Sequence, residues 1–380
     1  MHFSLNNEQT LLRNSLRAFL RDRYPFSSRK DASQSDKGWR PDIWRALGKE
    51  LGILGAALPE DVGGSGGGPV ENMIVMEELG RALALEPFAE SVVMAGGLLR
   101  RAVGQRARDL LAAVLAGDDT VAVGWNEPGA RFGLATVGTQ ARKQGDGWCL
   151  DGHKVAVIGA QWGSSLIVTA RSGGAASDRY GISLFLVERE RPGVTLREYH
   201  TIDGRRAADV VLDGVMLPAD ALLGAEGQAF DLIERIADEA VAAQCAEAVG
   251  LMERMLEDTV AYTRQREQFG QPISSFQVLQ HRMADMMIQV ELARSSVYGA
   301  TLKLDAEPAE RARAASAAKV TTDQACRFVG QNAIQLHGGM GMSDELPVTH
   351  YFKRATVLGN TLGSADFHVR RFAGFEREAA

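Results

Sequence analysis

Tyr262–Met286, YTRQREQFGQPISSFQVLQHRMADM, reads as the end of one helix, a turn and the start of another. Gly270 is expected to stop the first helix, and Gln271-Pro272 cannot continue it. Ser274 followed three residues later by Gln277 is a capping-box pattern for the second helix. The boundary gathers a cation (Arg266), an amide (Gln268) and an aromatic ring (Phe269). Such a set suits a phosphorylated, ring-bearing ligand, since guanidinium binds phosphate and an aromatic packs beside a ring. A plainer reading fits the same residues: Arg266 complements a helix C-terminal dipole and Phe269 belongs to the core. Beyond the boundary, Phe276, Leu279, Met283, Met286, Val290, Ala293 and Val297 step by three and four. That spacing marks an apolar seam facing another helix.

Working outward, the 380-residue chain is long enough for two or three packed units. A hydrophobic share of 45% and a charged share of 24% are ordinary for a globular protein. The formal charge of −6 argues against a nucleic-acid partner, which requires a basic face. Cys149, Cys245 and Cys326 are dispersed, without a CxxC pair or metal-ligand spacing, and are expected to be buried thiols in a reducing compartment. The start, MHFSLNNEQT, has neither a basic nor an apolar run, and no membrane span is expected; the reading is cytoplasmic. Residues 1–118 read as helical, with a stripe running from Phe3 through Leu12, Leu16, Phe19 and Leu20. A glycine-rich loop, residues 59–68, precedes a helix from about Val70. It lacks the Lys-Ser/Thr of a phosphate-binding loop. Between 119 and 226, short β-branched runs alternate with turn residues at Asp146-Gly147, Asp151-Gly152, Gly173-Gly174 and Asp213-Gly214. Helical spacing returns over 227–380. The class is therefore α+β.

The stretch Arg266, Gln268, Phe269, Gly270, Pro272, Ile273, Phe276, Gln277, Gln280 and His281 resembles the acyl-CoA dehydrogenase family. A second motif of that family follows at Gln335-Leu336-His337-Gly338-Gly339-Met340-Gly341, where adjacent glycines let a backbone approach a ligand closely. The loop P-E-x-x-G-G-S-G at 59–66 also resembles the family's amino-terminal domain. The resemblance implies a helical amino-terminal domain, a central β-barrel-like domain and a carboxy-terminal four-helix bundle. It implies FAD at a subunit interface, with Arg266 at the diphosphate of a neighbour's FAD. Gln268, Phe269, Phe276, Gln277, Gln335, Leu336, His337, Gly338 and Gly339 lie around the same cofactor. It further implies α,β-dehydrogenation of an acyl-CoA thioester, with electrons leaving to an electron-transfer flavoprotein.

The family's base lies in a Y-E-G-T run that here reads Thr361-Leu362-Gly363-Ser364, so Leu362 holds the position. Some relatives place it ten residues before the glycine of a V-G-L motif, which is Ala240 here. Neither side chain takes a proton. Glu247, two helical turns from Ala240 and flanked by apolar residues, is the substitute base to expect, with Glu239 and Asp366 behind it. The family's T-E-P-G-A-G-S loop reads Asn126-Glu127-Pro128-Gly129-Ala130-Arg131-Phe132, and its W-I-T strand reads Ala156-Val157-Ile158. The pattern is similar to small subunits of two-component acyl-CoA dehydrogenases of the pimeloyl-CoA and steroid-degradation type. The expected function is thus one subunit of a homo- or hetero-oligomer. The alternatives are a non-catalytic partner completing a neighbour's FAD site, or a branch resembling flavin monooxygenases and nitroalkane oxidases. His281, His337 and His368 lack ligand spacing, and no metal is expected.

Overall fold

The computed structural model describes residues 4–378. Phe3, the first member of the expected helical stripe, lies outside them. Before the sheet, the helices are α1 (Asn7–Arg23), α2 (Phe26–Gln34), α3 (Pro41–Lys49), α4 (Pro69–Arg81), α5 (Gly97–Leu99) and α6 (Gln105–Leu115). A π-type helix, Phe88–Gly96, runs directly into α5. Asn6 and Gln9 close a capping box at the start of α1. The strands are β1 (Val121–Gly124), β2 (Gln140–Gln144), β3 (Gly147–Ile158), β4 (Ser165–Arg171), β5 (Ile182–Glu188), β6 (Val194–His200), β7 (Arg206–Leu217) and β8 (Leu222–Leu223). Then come α7 (Phe230–Gln265), a hairpin of β9 (Glu267–Gln268) and β10 (Gln271–Pro272), α8 (Gln277–Leu302), α9 (Pro308–His337), α10 (Pro347–Leu358) and α11 (Ala365–Glu378). Among the described residues no helix is long and apolar enough to cross a membrane.

The chain forms two compact units. One comprises residues 32–68 and 85–240 and holds the eight-stranded sheet, ordered β6-β7-β3-β2-β4-β5-β8 with β1 parallel to β4. Trp148, Leu150, Phe185, Val187, Val210 and Leu212 build its core, and Trp148 meets Phe185 edge-on at 5.1 Å. One polar cluster is buried with them. Glu127 accepts from Gly138 N (2.6 Å), Thr139 Oγ1 (2.6 Å) and Lys154 Nζ (2.5 Å). Burial pushes the Lys154 ammonium down to about 8 against the pull of Glu127. Burial would likewise raise the Glu127 carboxyl, but Lys154 and the other donors hold it below its ordinary value. The cluster ties the loop after β1 to β3.

Two expected turns are not turns. Asp151-Gly152 lies within β3 and Asp213-Gly214 within β7, where the pairing of these strands shifts register. The Asp151 carboxylate accepts from Gly214 N at 2.8 Å, so the two Asp-Gly pairs form a bulge that bends long strands instead of ending them. β2 and β6 were not among the expected strands, because QARKQ and VTLREYH are rich in charge and largely exposed. Of the three cysteines, Cys245 and Cys326 are buried and Cys149 is only partly so.

The other unit comprises residues 1–31, 69–84 and 241–380. Within it α9 packs against α8, α10 and α11. The expected seam of α8 is present in part: Met286, Val290, Ala293 and Val297 are buried, whereas Phe276, Leu279 and Met283 are half-buried. α4 and α7 cross at two glycines. A Cβ on Gly80 would meet Glu247 O at 2.1 Å, and one on Gly250 would meet Glu77 O at 1.9 Å. Around the crossing, Arg294 of α8 donates to Glu77 and to Glu253 (2.7 Å), and Arg17 of α1 pairs with Glu78 at 2.6 Å.

The sequence expectation fails in detail at Tyr262–Met286. α7 ends at Gln265, five residues before Gly270. Phe269 and Gly270, both with positive φ (55° and 76°), form the two-residue turn of the β9–β10 hairpin. The expected capping box is absent. Residues 273–275 form a 3₁₀ turn, the N-cap of α8 is Phe276, and no side chain caps it.

The glycine crossing yields a direct expectation. Gly250→Ala should lower stability by at least about 1–3 kcal/mol, the cost of overpacking a rigid contact. The fall in the urea midpoint measures it, and an unchanged midpoint would show that the helices can part freely.

Candidate functional site

The end of α7, the hairpin, the first turns of α8 and the end of α9 line an open cavity of about 760 Å³. Tyr262 and Arg266 line it from α7, and Gln268 from the hairpin. Val278, Leu279 and Arg282 line it from α8, and Gln335, Leu336 and His337 from α9. Gly338 and Gly339 close it. Gly338 takes φ +61°, and a Cβ built on either glycine would meet nothing within 4 Å, so their backbone faces open space. Tyr262 and His337 stack at 4.4 Å as one wall. His337 Nδ1–H donates to Ala333 O at 2.8 Å, which leaves Nε2 as an acceptor. Burial holds this imidazole below its ordinary value.

The electrostatics of the cavity are one-sided. Arg266 and Arg282 line it, and among the described residues no carboxylate does. The first turn of α8 borders it with no acidic residue and no side-chain cap. Such a lining fits a ligand carrying a diphosphate.

Of the residues expected to surround a cofactor, Arg266, Gln268, Gln335, Leu336, His337, Gly338 and Gly339 meet here. Phe269, Phe276 and Gln277 do not line the cavity. Phe269 is 91% exposed at the hairpin tip, so it is not core either, and its ring meets Phe276 edge-on at 6.1 Å. His281 is exposed. Tyr262, Val278 and Arg282 line the cavity although the sequence reading gave them no role, and Met340 of the second motif lines it too. The spacing offered a signal for Arg282, which follows Val278 by four residues and so shares its helical face.

The candidate bases are placed differently. Glu247 is buried and bonded to Arg354 through both oxygens, Nε to Oε1 at 2.6 Å and Nη2 to Oε2 at 2.9 Å. The pair ties α7 to α10. A carboxylate held bidentately by a guanidinium is poorly disposed to take a substrate proton. Glu239 accepts from Arg101 and Arg235, each at 3.0 Å, and Asp366 is exposed in the first turn of α11. Ala240 is fully buried.

Leu362 sits in a fixed turn. It adopts φ +58°, costly for a residue with a Cβ, and Gly363 follows at φ +116°. His368 Nε2–H donates to Leu362 O at 2.9 Å, and its Nδ1 faces Ser316 Oγ at 3.2 Å. Lys319 Nζ donates to Leu358 O at 2.5 Å. Burial lowers the His368 imidazole to about 4, so it stays neutral. The β-domain segments are equally plain. Ala156 is exposed at φ +54° with its N–H on Asp209, and Val157 is buried, so this strand offers neither indole nor hydroxyl.

Models of the acyl-CoA dehydrogenase N-terminal, middle and C-terminal domains match residues 6–118, 122–215 and 230–374. The mitochondrial short-chain specific acyl-CoA dehydrogenase of Mus musculus is 30% identical over 332 residues, covering 86% of this chain and 80% of that protein. Among solved structures, a variant of the Tcur3481–Tcur3483 steroid ACAD is 29% identical with a TM-score of 0.88, covering 99% of each chain. The ChsE4–ChsE5 complex from Mycobacterium tuberculosis is 26% identical with a TM-score of 0.90, covering 100% of this chain and 99% of that one.

Two outcomes follow from this geometry. Glu247→Gln should strand the Arg354 charge and cost roughly 3–5 kcal/mol, read as a lowered melting midpoint. An unchanged midpoint with lost acyl-CoA-dependent chemistry would make Glu247 a base after all. Stability should also fall with acid. An unfolded histidine titrates near about 6.5, whereas His368 in the fold titrates at about 4. Above the first value both states are neutral and the contribution is complete. Below it the unfolded state binds the proton first, and up to about 3 kcal/mol is lost by the time the pH reaches the folded value. His368→Gln should flatten that part of a urea-midpoint profile against pH.

Proposed function

The chain belongs to the acyl-CoA dehydrogenase family, and within it we propose that it is one subunit of a hetero-oligomer that dehydrogenates an acyl-CoA. In this reading its α7–α9 cavity completes the FAD site of the adjoining subunit. The carrying observation is a contrast. The cavity has two guanidiniums and no carboxylate, while residues 240 and 362 are Ala and Leu. The chain is equipped to hold a diphosphate and poorly equipped to take a proton.

FAD, when bound, supplies the hydride acceptor for the substrate β-carbon. Arg266 would pair with the diphosphate, the Gln268 and Gln335 amides would bond polar edges, and the Gly338–Gly339 backbone would lie close to the ligand. The stacked Tyr262 and His337 would form one wall beside the cofactor. The thioester acidifies the substrate α-carbon, and its proton needs a carboxylate nearby. We assign that base to the adjoining chain, because Glu247 and Glu239 are tied to arginines and Asp366 is a solvent-facing residue. With no indole or hydroxyl at 156–158, this chain would not hold a flavin of its own. Electrons leave to an electron-transfer flavoprotein. The Tcur3481–Tcur3483 steroid ACAD and the ChsE4–ChsE5 complex, to which this chain is similar, each bring two proteins together, which supports a mixed assembly and a bulky acyl group.

The test is purification of the chain alone and together with a family member that carries the base. Anaerobic acyl-CoA should bleach the flavin of the mixed oligomer and form enoyl-CoA. Arg266→Ala should weaken FAD retention roughly 10- to 100-fold, the loss of a charge-assisted contact of about 1.5–3 kcal/mol. Bleaching by the chain purified alone would place a base within it and overturn the assignment.

A further inference from the structure

We infer that Arg282 is a second binding cation of the α7–α9 cavity, acting with Arg266 on the diphosphate of a bound nucleotide. The inference rests on the reading of that cavity as a cofactor site. It assigns a role to a residue outside the R-x-Q-F-G run that marked the site in the sequence.

A diphosphate diester carries two negative charges, and Arg266 alone neutralises one. Arg282 lines the same cavity, and no Asp or Glu does. Elsewhere in this unit several arginines at helix contacts are paired: Arg17 with Glu78, Arg81 with Glu253 and Glu257, Arg294 with Glu77 and Arg354 with Glu247. Among the described residues Arg266 and Arg282 have no side-chain hydrogen bond or ion pair of this kind. Arg266 enters from the end of α7, and Arg282 enters from α8, on the face shared with Val278 and Leu279. The two cations therefore come from separate elements, and both line the space in front of Gly338–Gly339. Two guanidiniums so arranged can grip one diphosphate with fork-like, charge-assisted bonds.

Two ligands of this chemistry bear a diphosphate here, FAD and coenzyme A, and the experiment separates them. The purified, flavin-loaded oligomer is prepared with Arg266→Gln, Arg282→Gln and Arg282→Lys in this chain. Release of FAD is followed by flavin fluorescence over a range of KCl concentrations, and KM for acyl-CoA is measured alongside. Because Arg282 is exposed and unpaired, the variants should melt with the parent. The expected result is a roughly tenfold or greater rise in the FAD dissociation constant for Arg282→Gln, a shallower dependence on salt, and partial recovery in Arg282→Lys, which keeps the charge and loses the fork. A rise in KM for acyl-CoA with FAD retention intact would support the same cation acting on the coenzyme A diphosphate. If Arg266→Gln releases FAD while Arg282→Gln changes neither FAD retention nor KM, the inference is overturned and the site reading stands. If neither variant affects FAD retention or KM, the site reading itself fails.

Discussion

The contact on which the functional unit depends is the crossing of α4 and α7 at Gly80 and Gly250. Each glycine admits a carbonyl of the other helix, Glu247 O at Gly80 and Glu77 O at Gly250, into space that any Cβ would fill. The carboxylates of the same two glutamates then reach outward, Glu247 to Arg354 of α10 and Glu77 to Arg294 of α8. Backbone proximity, the buried Glu247–Arg354 pair and the part-buried Glu77–Arg294 pair thus act at one place, joining α7 to α4 and α10, and α4 to α8. The far end of α7 carries Tyr262 and Arg266. The position of the cavity is therefore a consequence of a contact several helical turns away.

That arrangement explains how charge is distributed in the unit. Removing one partner of a buried pair is costly, because the other charge stays desolvated. Pairing Glu77, Glu78 and Glu247 with arginines avoids that cost, and it also withdraws these carboxylates from acid–base chemistry. Glu247 illustrates both effects: its burial, which in the sequence suggested a raised affinity for protons, is satisfied by Arg354. The cavity is the opposite case. Two arginines, an uncapped helix start and exposed glycine backbone leave an excess of positive potential that a ligand would complete.

The order of helical and β segments was legible because it rests on periodicity and on turn residues, which are local. Much of the cavity was legible for the same reason, since Arg266, Gln268 and Gln335–Gly339 lie in two short motifs. The errors have physical causes. Phe269-Gly270 was read as a helix stop, yet a glycine with φ above zero serves a hairpin turn as well as a C-cap. Asp151-Gly152 and Asp213-Gly214 were read as turns. Their cross-strand bond, Gly214 N to Asp151 Oδ1, makes them a bulge, and no local rule reveals that partner. Glu247 was read as a candidate base because Arg354 lies 107 residues away. Arg282 was passed over because an arginine on a helix is usually a solvated surface charge. Only the folded arrangement brings it beside Arg266.

The central claim is that this chain completes a neighbour's FAD site, holds no flavin of its own and supplies no base. It is tested most directly by the flavin content of the mixed oligomer, measured from flavin absorbance after denaturation against the amount of each chain. The account predicts one FAD for each pair of unlike chains. Two FAD molecules per pair, one for every chain, would contradict it, because this chain would then hold a flavin of its own despite the plain strand at Ala156-Val157-Ile158.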